Sequence, residues 1–254
     1  MFGTLISICN RIEMRVLVLS DIHSNIIALD TVLKDAGSYD QVWCLGDLVG
    51  YGPNPNECID RVRGLPGLQC ILGNHDAAAL GKIDVRAFNY EAQFSLKWLT
   101  NVLEPGHKRF LERLDEKKTF GNITLVHGSP RNPVWEYIMD VRLAKQNFNA
   151  FETQICLVGH THIPCLFTED DTGEVKLCFH SPGETFKVEH RAIINPGSVG
   201  QPRDHDPRAS YLIYDSDDDV WEFRRVAYDY MEVRERIIQA GLPYNHAIRL
   251  QDGL

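Results

Sequence analysis

The chain reads as an α/β protein in which two sheets pack together with helices on the outer faces. Three observations lead there. Apolar, strand-like runs alternate with helix-patterned stretches up to about residue 160, and short strands dominate afterwards. Five of the early apolar runs end on Asp, His or Asn. Sites in α/β sheets collect at the carboxyl ends of strands, so five such ends point to one centre at a shared edge.

Each element follows from its own pattern. Met1 to Glu13 lacks the basic start and small-residue cleavage site of a signal peptide, and reads as an N-terminal extension to one domain over residues 14–254. Val16-Leu17-Val18-Leu19-Ser20 predicts a strand that delivers Asp21-Ile22-His23. Ile26, Leu29, Val32 and Leu33 recur at helical spacing, and Gly37 closes that helix. Gln41 to Leu45 predicts a second strand, delivering Gly46-Asp47. Tyr51 to Asn56 is a turn rich in Gly, Pro and Asn, with a helix starting near Pro55 because proline suits a first turn. Leu68 to Leu72 delivers Gly73-Asn74-His75-Asp76. Phe88 to Leu103 reads as a long helix with Phe94, Leu96, Trp98 and Leu99 at apolar positions, and Pro105 to Leu114 as another. Ile123 to Val126 delivers His127-Gly128, and Gln154 to Val158 delivers Gly159-His160-Thr161-His162. Short strands follow at 163–168, 175–179, 186–188, 191–194, 211–214 and 220–226, and a terminal helix spans about 230–240.

Bulk properties narrow the function classes. The 254 residues carry 44% hydrophobic and 24% charged side chains, an ordinary soluble composition. The net charge of −9 lacks the basic footprint of a duplex nucleic-acid binder. No apolar run approaches the ~18 residues of a membrane span. None of the seven cysteines forms a Cys-x-x-Cys pair, and Cys44, Cys70 and Cys156 sit inside apolar runs. They read as small buried hydrophobes in a reducing compartment, so a cytoplasmic location is expected.

The candidate ligands are Asp21, His23, Asp47, Asn74, His127, His160 and His162. All offer oxygen or nitrogen and none sulfur, which suits Mn, Fe, Zn, Co or Ni. Seven donors are too many for one tetrahedral zinc and suit two divalent ions that share a bridging carboxylate. Two such ions, two aspartates and a bridging hydroxide leave a formal charge of about +1, so the pocket attracts an anion although the chain is acidic. Metal-bound water has a pKa of about 7, and paired ions stabilise both the attacking and the leaving oxygen of an in-line phosphoryl displacement.

Asp21-x-His23, Gly46-Asp47-x-x-Gly50, Gly73-Asn74-His75-Asp76, His127-Gly128 and Gly159-His160-Thr161-His162 resemble, in order, the five motifs of the calcineurin-like metallophosphoesterases. The likeness runs from residue 21 to 162 and extends through Asn195-Pro196-Gly197-Ser198, as in small bacterial members. The resemblance implies a four-layer αββα sandwich and two transition-metal ions, manganese foremost. It implies that Asp21, His23 and His162 bind the first ion, that Asn74, His127 and His160 bind the second, and that Asp47 bridges them. His75, by the same resemblance, hydrogen-bonds the phosphate or protonates the leaving oxygen, with Asp76 orienting its ring.

Protein serine/threonine phosphatases of that superfamily carry an Arg just after the second motif. Here the stretch is Gly46-Asp47-Leu48-Val49-Gly50-Tyr51-Gly52, without one. A small phosphodiester or a nucleotide phosphoanhydride is therefore the expected substrate. The alternatives are a non-catalytic scaffold on the same fold, a protein phosphatase or a nuclease. Tyr51 is a candidate to stack on a base or leaving group, or else a turn aromatic on the surface. Arg203 is a candidate to reach a substrate phosphate, or else a partner for Asp204 or Asp206. His107, His180, His190, His205 and His246 lie outside any motif and read as surface residues. Glu184, Glu189 and the run from Asp215 to Asp219 read as solvated faces or turns. Neither duplex nucleic acid nor a membrane is expected as a partner.

Overall fold

In the first of two six-stranded sheets, β1 (Arg15–Leu19), β2 (Gln41–Cys44) and β3 (Gln69–Cys70) run parallel, and β11 (Ala209–Asp215), β12 (Val220–Val226) and β9 (Thr185–Phe186) continue antiparallel. In the second, β5 (Ile123–Val126), β6 (Ile155–Leu157) and β10 (Arg191–Asn195) run parallel. They are flanked by antiparallel β4 (Lys117–Phe120) on one side and by β7 (Cys165–Glu169) and β8 (Val175–Cys178) on the other. This computed structural model describes residues 14–254, so the N-terminal extension expected over residues 1–13 lies outside the described residues.

Side-chain alternation builds the layers. Val16 and Val18 of β1 join Trp43, Leu125, Leu157, Ile194, Leu212 and Trp221 in a core between the sheets. Leu17 and Leu19 point the other way, into a core shared with α1 (Ile26–Asp35), α2 (Pro55–Arg63), α4 (Tyr90–Val102), α5 (Pro105–Glu112), α7 (Tyr230–Gln239) and α8 (Tyr244–Asp252). The far face of the second sheet places Val126, Cys156, Phe167 and Ile193 against Phe148 of α6 (Val141–Phe148). The result is the four-layer αββα sandwich. Strands buried on both faces read as unbroken apolar runs, which is why alternation is invisible in the sequence of β1.

Helix starts follow their capping residues. Asn25, Asn89, Asp140 and Asp229 each accept a hydrogen bond from a backbone N–H in the first turn of α1, α4, α6 and α7. Four elements escape the sequence pattern: α3 (Asn74–Ala79), α6, α8 and β4. The first is a six-residue, alanine-rich turn, and β4 reads Lys-Lys-Thr-Phe with alternate residues exposed. Phe94, one of the apolar positions read in α4, is 47% exposed, and that helix buries Ala92, Ser95, Leu96 and Leu99. Two histidines expected at the surface are buried. One ring nitrogen of His107 lies 2.8 Å from Asp60 Oδ1, and one of His246 lies 2.9 Å from Ser95 Oγ. The six described cysteines are free, and five are buried. Among the described residues, no helix is long and apolar enough to cross a membrane.

Candidate metal centre

The two parallel triplets, β1-β2-β3 and β5-β6-β10, bring their carboxyl ends together across the sandwich. Asp21 and His23 follow β1, Asp47 follows β2, Asn74 follows β3, His127 follows β5, and His160 and His162 follow β6. All seven are buried. Asp21, His23, Asp47, His160 and His162 have φ between 49° and 66°, the left-handed region that L-residues avoid. Each such residue costs roughly 1–2 kcal/mol, which surrounding structure must offset. Glycines make the crowding feasible: a Cβ on Gly73 would overlap Asp47, and one on Gly159 would overlap Ser20 Oγ.

Every imidazole in the set is oriented by a backbone carbonyl. The Nδ1–H of His23 donates to Val49 O at 3.1 Å, that of His127 to Leu45 O at 2.7 Å, and that of His162 to Gln201 O at 2.6 Å. His160 donates from Nε2–H to Trp135 O at 3.1 Å. A carbonyl only accepts, so in a neutral ring these bonds fix the tautomer and leave the other nitrogen as a lone pair. In His23 and His162 those lone pairs meet head on. His23 Nε2 lies 3.0 Å from His162 Nε2, and His127 Nε2 lies 2.9 Å from Asn74 Oδ1.

The carboxylates are half committed. Asp21 Oδ2 accepts from Ser20 Oγ at 2.6 Å and from His160 N at 3.1 Å, and Asp47 Oδ1 accepts from His75 N at 2.8 Å. Their other oxygens, Asp21 Oδ1 and Asp47 Oδ2, are buried without a hydrogen-bond partner among the described residues. Asp21 Oδ1 lies 3.2 Å from His162 Nε2, while Asp47 Oδ2 lies 3.6 Å from His23 Nε2 and 3.4 Å from His127 Nε2. Unpaired carboxylate oxygens facing imidazole nitrogens form a place suited to a cation. Donor atoms of Asp21, His23 and His162 lie within 4.8 Å of one another, as do those of Asp47, His127 and His160. A third set of the same span joins His23, Asp47 and His75.

Titration follows the same geometry. Burial, with added repulsion from neighbouring cations, holds His23, His160 and His162 below the ordinary histidine value, so they are neutral donors at neutral pH. Burial opposes ionisation of Asp21 and Asp47, but the neighbouring histidines outweigh it and both stay charged. His127 is the exception. Burial pulls it down, yet the Asp47 carboxylate pushes it up to about 9. A proton on its Nε2 occupies a place where positive charge is favoured.

His75 is buried against His23, Tyr51 and Phe88, with ring centroids 4.4–5.0 Å away. Asp76 does not orient it. Asp76 Oδ1 accepts from Val49 N and Oδ2 from Gly73 N, each at 3.1 Å, so this carboxylate ties the turn after β2 to the start of α3. His75 Nδ1 has no partner among the described residues. Tyr51 is only 8% exposed, packed by His23, His75 and His246, so it is not a surface aromatic. The Arg203 guanidinium lies 5.6 Å from the Tyr51 ring centre and donates to Gln201 Oε1 at 2.9 Å. The two aspartates expected as its partners are taken: Asp204 pairs with Arg225, and Asp206 with Arg208 at 2.6 Å.

Several further residues position the site. Asn195 Nδ2 donates to Gly159 O at 2.7 Å and to Thr161 Oγ1 at 2.9 Å, bracing the turn that holds His160 and His162. Ser198 Oγ donates to Asp21 O at 2.8 Å and accepts from Gln201 N at 2.8 Å. Tyr137 stacks on His160 with ring centroids 3.8 Å apart. The turn formers at 195–198 are visible in sequence, but their targets are backbone atoms far along the chain.

Comparison with known proteins shows the family and the fold. Residues 14–219 match the family model described as the calcineurin-like phosphoesterase superfamily domain. An uncharacterised protein of Methanocaldococcus jannaschii is 36% identical over 239 residues, which cover 91% of this chain and 95% of that one. The crystal structure of a metallophosphoesterase from Sphaerobacter thermophilus superposes with a TM-score of 0.88. It is 45% identical and the match covers 95% of this chain and 100% of that one. A hypothetical protein from Pyrococcus horikoshii shares the fold at a TM-score of 0.76 with 20% identity, covering 94% of this chain and 98% of its own.

Proposed function

The chain belongs to the calcineurin-like phosphoesterase superfamily, and from that premise we propose that it hydrolyses small phosphodiesters or nucleotide phosphoanhydrides with two divalent transition-metal ions. What carries this reading is the confrontation of His23 Nε2 with His162 Nε2 at 3.0 Å beside two orphaned aspartate oxygens. Neutral lone pairs held face to face in a buried site repel unless a cation lies between them. Asp21, His23 and His162 would hold one ion. Asn74, His127 and His160 would hold the other, with Asp47 between them. Manganese suits this nitrogen and oxygen set, as do iron, zinc, nickel and cobalt. When bound, such a pair supplies Lewis acidity at the phosphoryl oxygens and a water acidic enough to ionise near pH 7.

The remaining steps belong to side chains. His75 is held down to about 4, by burial first and then by the charges of Arg203, His162 and His127, although Asp47 opposes them. It is therefore neutral near pH 7, which suits donation of a hydrogen bond to a phosphate oxygen better than delivery of a proton. Arg203 supplies one fixed positive charge at the mouth. Tyr51, packed beneath it, is buried too deeply to offer a free face to a leaving group, and serves as the floor that holds the guanidinium. One guanidinium matches the single charge of a diester better than the double charge of a monoester.

The test is direct. Protein purified without chelator and supplied with manganese should hold close to two equivalents of metal by elemental analysis. It should hydrolyse bis(p-nitrophenyl) phosphate with a higher kcat/KM than p-nitrophenyl phosphate or a phosphoserine peptide. Failure to bind any transition metal would remove the metal reading. A preference for the phosphopeptide would replace the diester with a protein substrate.

A further inference from the structure

We propose that Tyr137 is a substrate-contacting residue, whose hydroxyl donates a hydrogen bond to a non-bridging phosphoryl oxygen. This rests on the phosphoesterase reading and deepens it, because it adds a neutral donor where a monoester site would want a second cation. Nothing in the motif pattern points to Tyr137, and it lies nine residues past the last residue of His127-Gly128.

Three observations converge. First, the ring is fixed. It stacks on His160 at 3.8 Å with an interplanar angle of 20°, so its position is tied to a candidate ligand. Second, its loop is fixed. The adjacent Glu136 accepts from Ser129 Oγ at 2.6 Å, Asn147 Nδ2 at 2.9 Å and Arg131 Nη2 at 2.5 Å. Trp135 in the same loop accepts from His160 through its carbonyl. A donor held this way pays little ordering entropy when it meets a ligand. Third, the hydroxyl is available. Tyr137 is 42% exposed, and no hydrogen bond occupies its hydroxyl among the described residues. After burial, the charges acting on that hydroxyl are those of Arg203, Tyr51, Asp47 and Asp21, groups of the same centre as the His160 ring it stacks on.

An anion reaching the centre beside the exposed Tyr137 meets a neutral O–H. A hydrogen bond from a neutral hydroxyl strengthens when its acceptor is charged. Loss of one such bond typically lowers affinity or rate by roughly 10- to 100-fold.

Tyr137→Phe keeps the ring on His160 and removes only the donor. Manganese content by elemental analysis should be unchanged. Affinity for inorganic phosphate, by calorimetry on the manganese-loaded protein, should fall by roughly 10-fold or more. The kcat/KM on bis(p-nitrophenyl) phosphate should fall at least as far. Tyr137→Leu, which also removes the stack, should lose the same phosphate affinity and bind manganese more weakly. Unchanged phosphate affinity and unchanged kcat/KM in Tyr137→Phe, with a wild type that hydrolyses the diester, would overturn the role of Tyr137 and leave the phosphoesterase reading intact. A metal-loaded wild type that neither binds phosphate nor hydrolyses any phosphoester would overturn both.

Discussion

At the scale of single residues, Asp47 and His75 touch through one hydrogen bond yet have separable roles. Asp47 Oδ2 faces His23 and His127, members of both candidate ligand sets, so its charge would serve both proposed ions. Asp47→Asn should therefore reduce manganese content well below one equivalent and abolish turnover. Retention of two equivalents would remove the bridging role. His75 also stands within reach of His23 and Asp47, which makes it a geometric rival as a ligand. His75→Ala should keep its metal and slow kcat by about 10²–10⁴, the usual range for one acid–base or hydrogen-bonding group. Metal loss in that variant would make His75 a ligand instead. The seven candidate ligands were legible in the sequence because Asp, His and Asn at strand ends are rare in combination. Their partners were not. Val49, Leu45, Trp135 and Gln201 act through carbonyl oxygens, which every residue possesses and no sequence pattern marks. Asp76 shows the opposite failure, since its place beside His75 in the chain suggested a contact that its backbone bonds to Val49 and Gly73 pre-empt.

At the scale of elements, α8 closes the first sheet's helical layer through a buried histidine. His246 is 1% exposed, bonds Ser95 Oγ of α4 at 2.9 Å and packs on Tyr51 at 4.9 Å. Burial lowers it from 6.5 to about 4. The folded state therefore keeps His246 neutral while the unfolded chain takes up a proton below pH 6.5. Unfolding binds protons in that window, so stability is full above about pH 6.5 and falls as the pH drops towards 4. The whole shift corresponds to a loss on the order of 3 kcal/mol. Urea denaturation of wild type and His246→Gln between pH 4.5 and 7 isolates this contribution, because every other titrating group is common to both. The wild type should lose stability more steeply on acidification, and parallel curves would rule the coupling out. This docking was hidden in the sequence: α8 buries His246, Ala247 and Leu250, a stripe too polar to announce itself. The strands were far easier to read, since β1, β2, β5 and β6 are apolar runs with both faces covered. Helix α4 is legible from its apolar positions, but its buried face carries the small Ala92 and Ser95 beside Leu96 and Leu99, while the large Phe94 is exposed.

At the scale of the whole molecule, the acidic exterior and the candidate cationic centre oppose each other. The chain carries −9, yet two divalent ions, the two aspartates and one hydroxide would leave the pocket at about +1 on a formal count. A substrate with one negative charge feels mainly the pocket. A long polyanion feels the exterior as well, over distances where the field is set by ionic strength. The Debye length shortens from about 30 Å at 0.01 M to about 10 Å at 0.1 M salt, so the exterior repulsion should fade across that range while the buried centre is screened less. Two substrates separate these contributions. The kcat/KM for a singly charged diester should change little between 0.01 and 0.1 M salt in the presence of manganese. For a peptide bearing several phosphoserines it should start lower and rise with salt. Exposed Arg63, Arg86 and Arg208 each pair with a nearby aspartate, so none of them forms an open basic track for such a peptide. The measurement is a pair of salt series at fixed manganese and pH. A multiply phosphorylated peptide that is hydrolysed faster than the diester at 0.01 M salt, and loses rate as salt rises, would mean that attraction dominates its approach. That outcome would place a cationic docking path on the surface and reverse the proposed preference for small diesters.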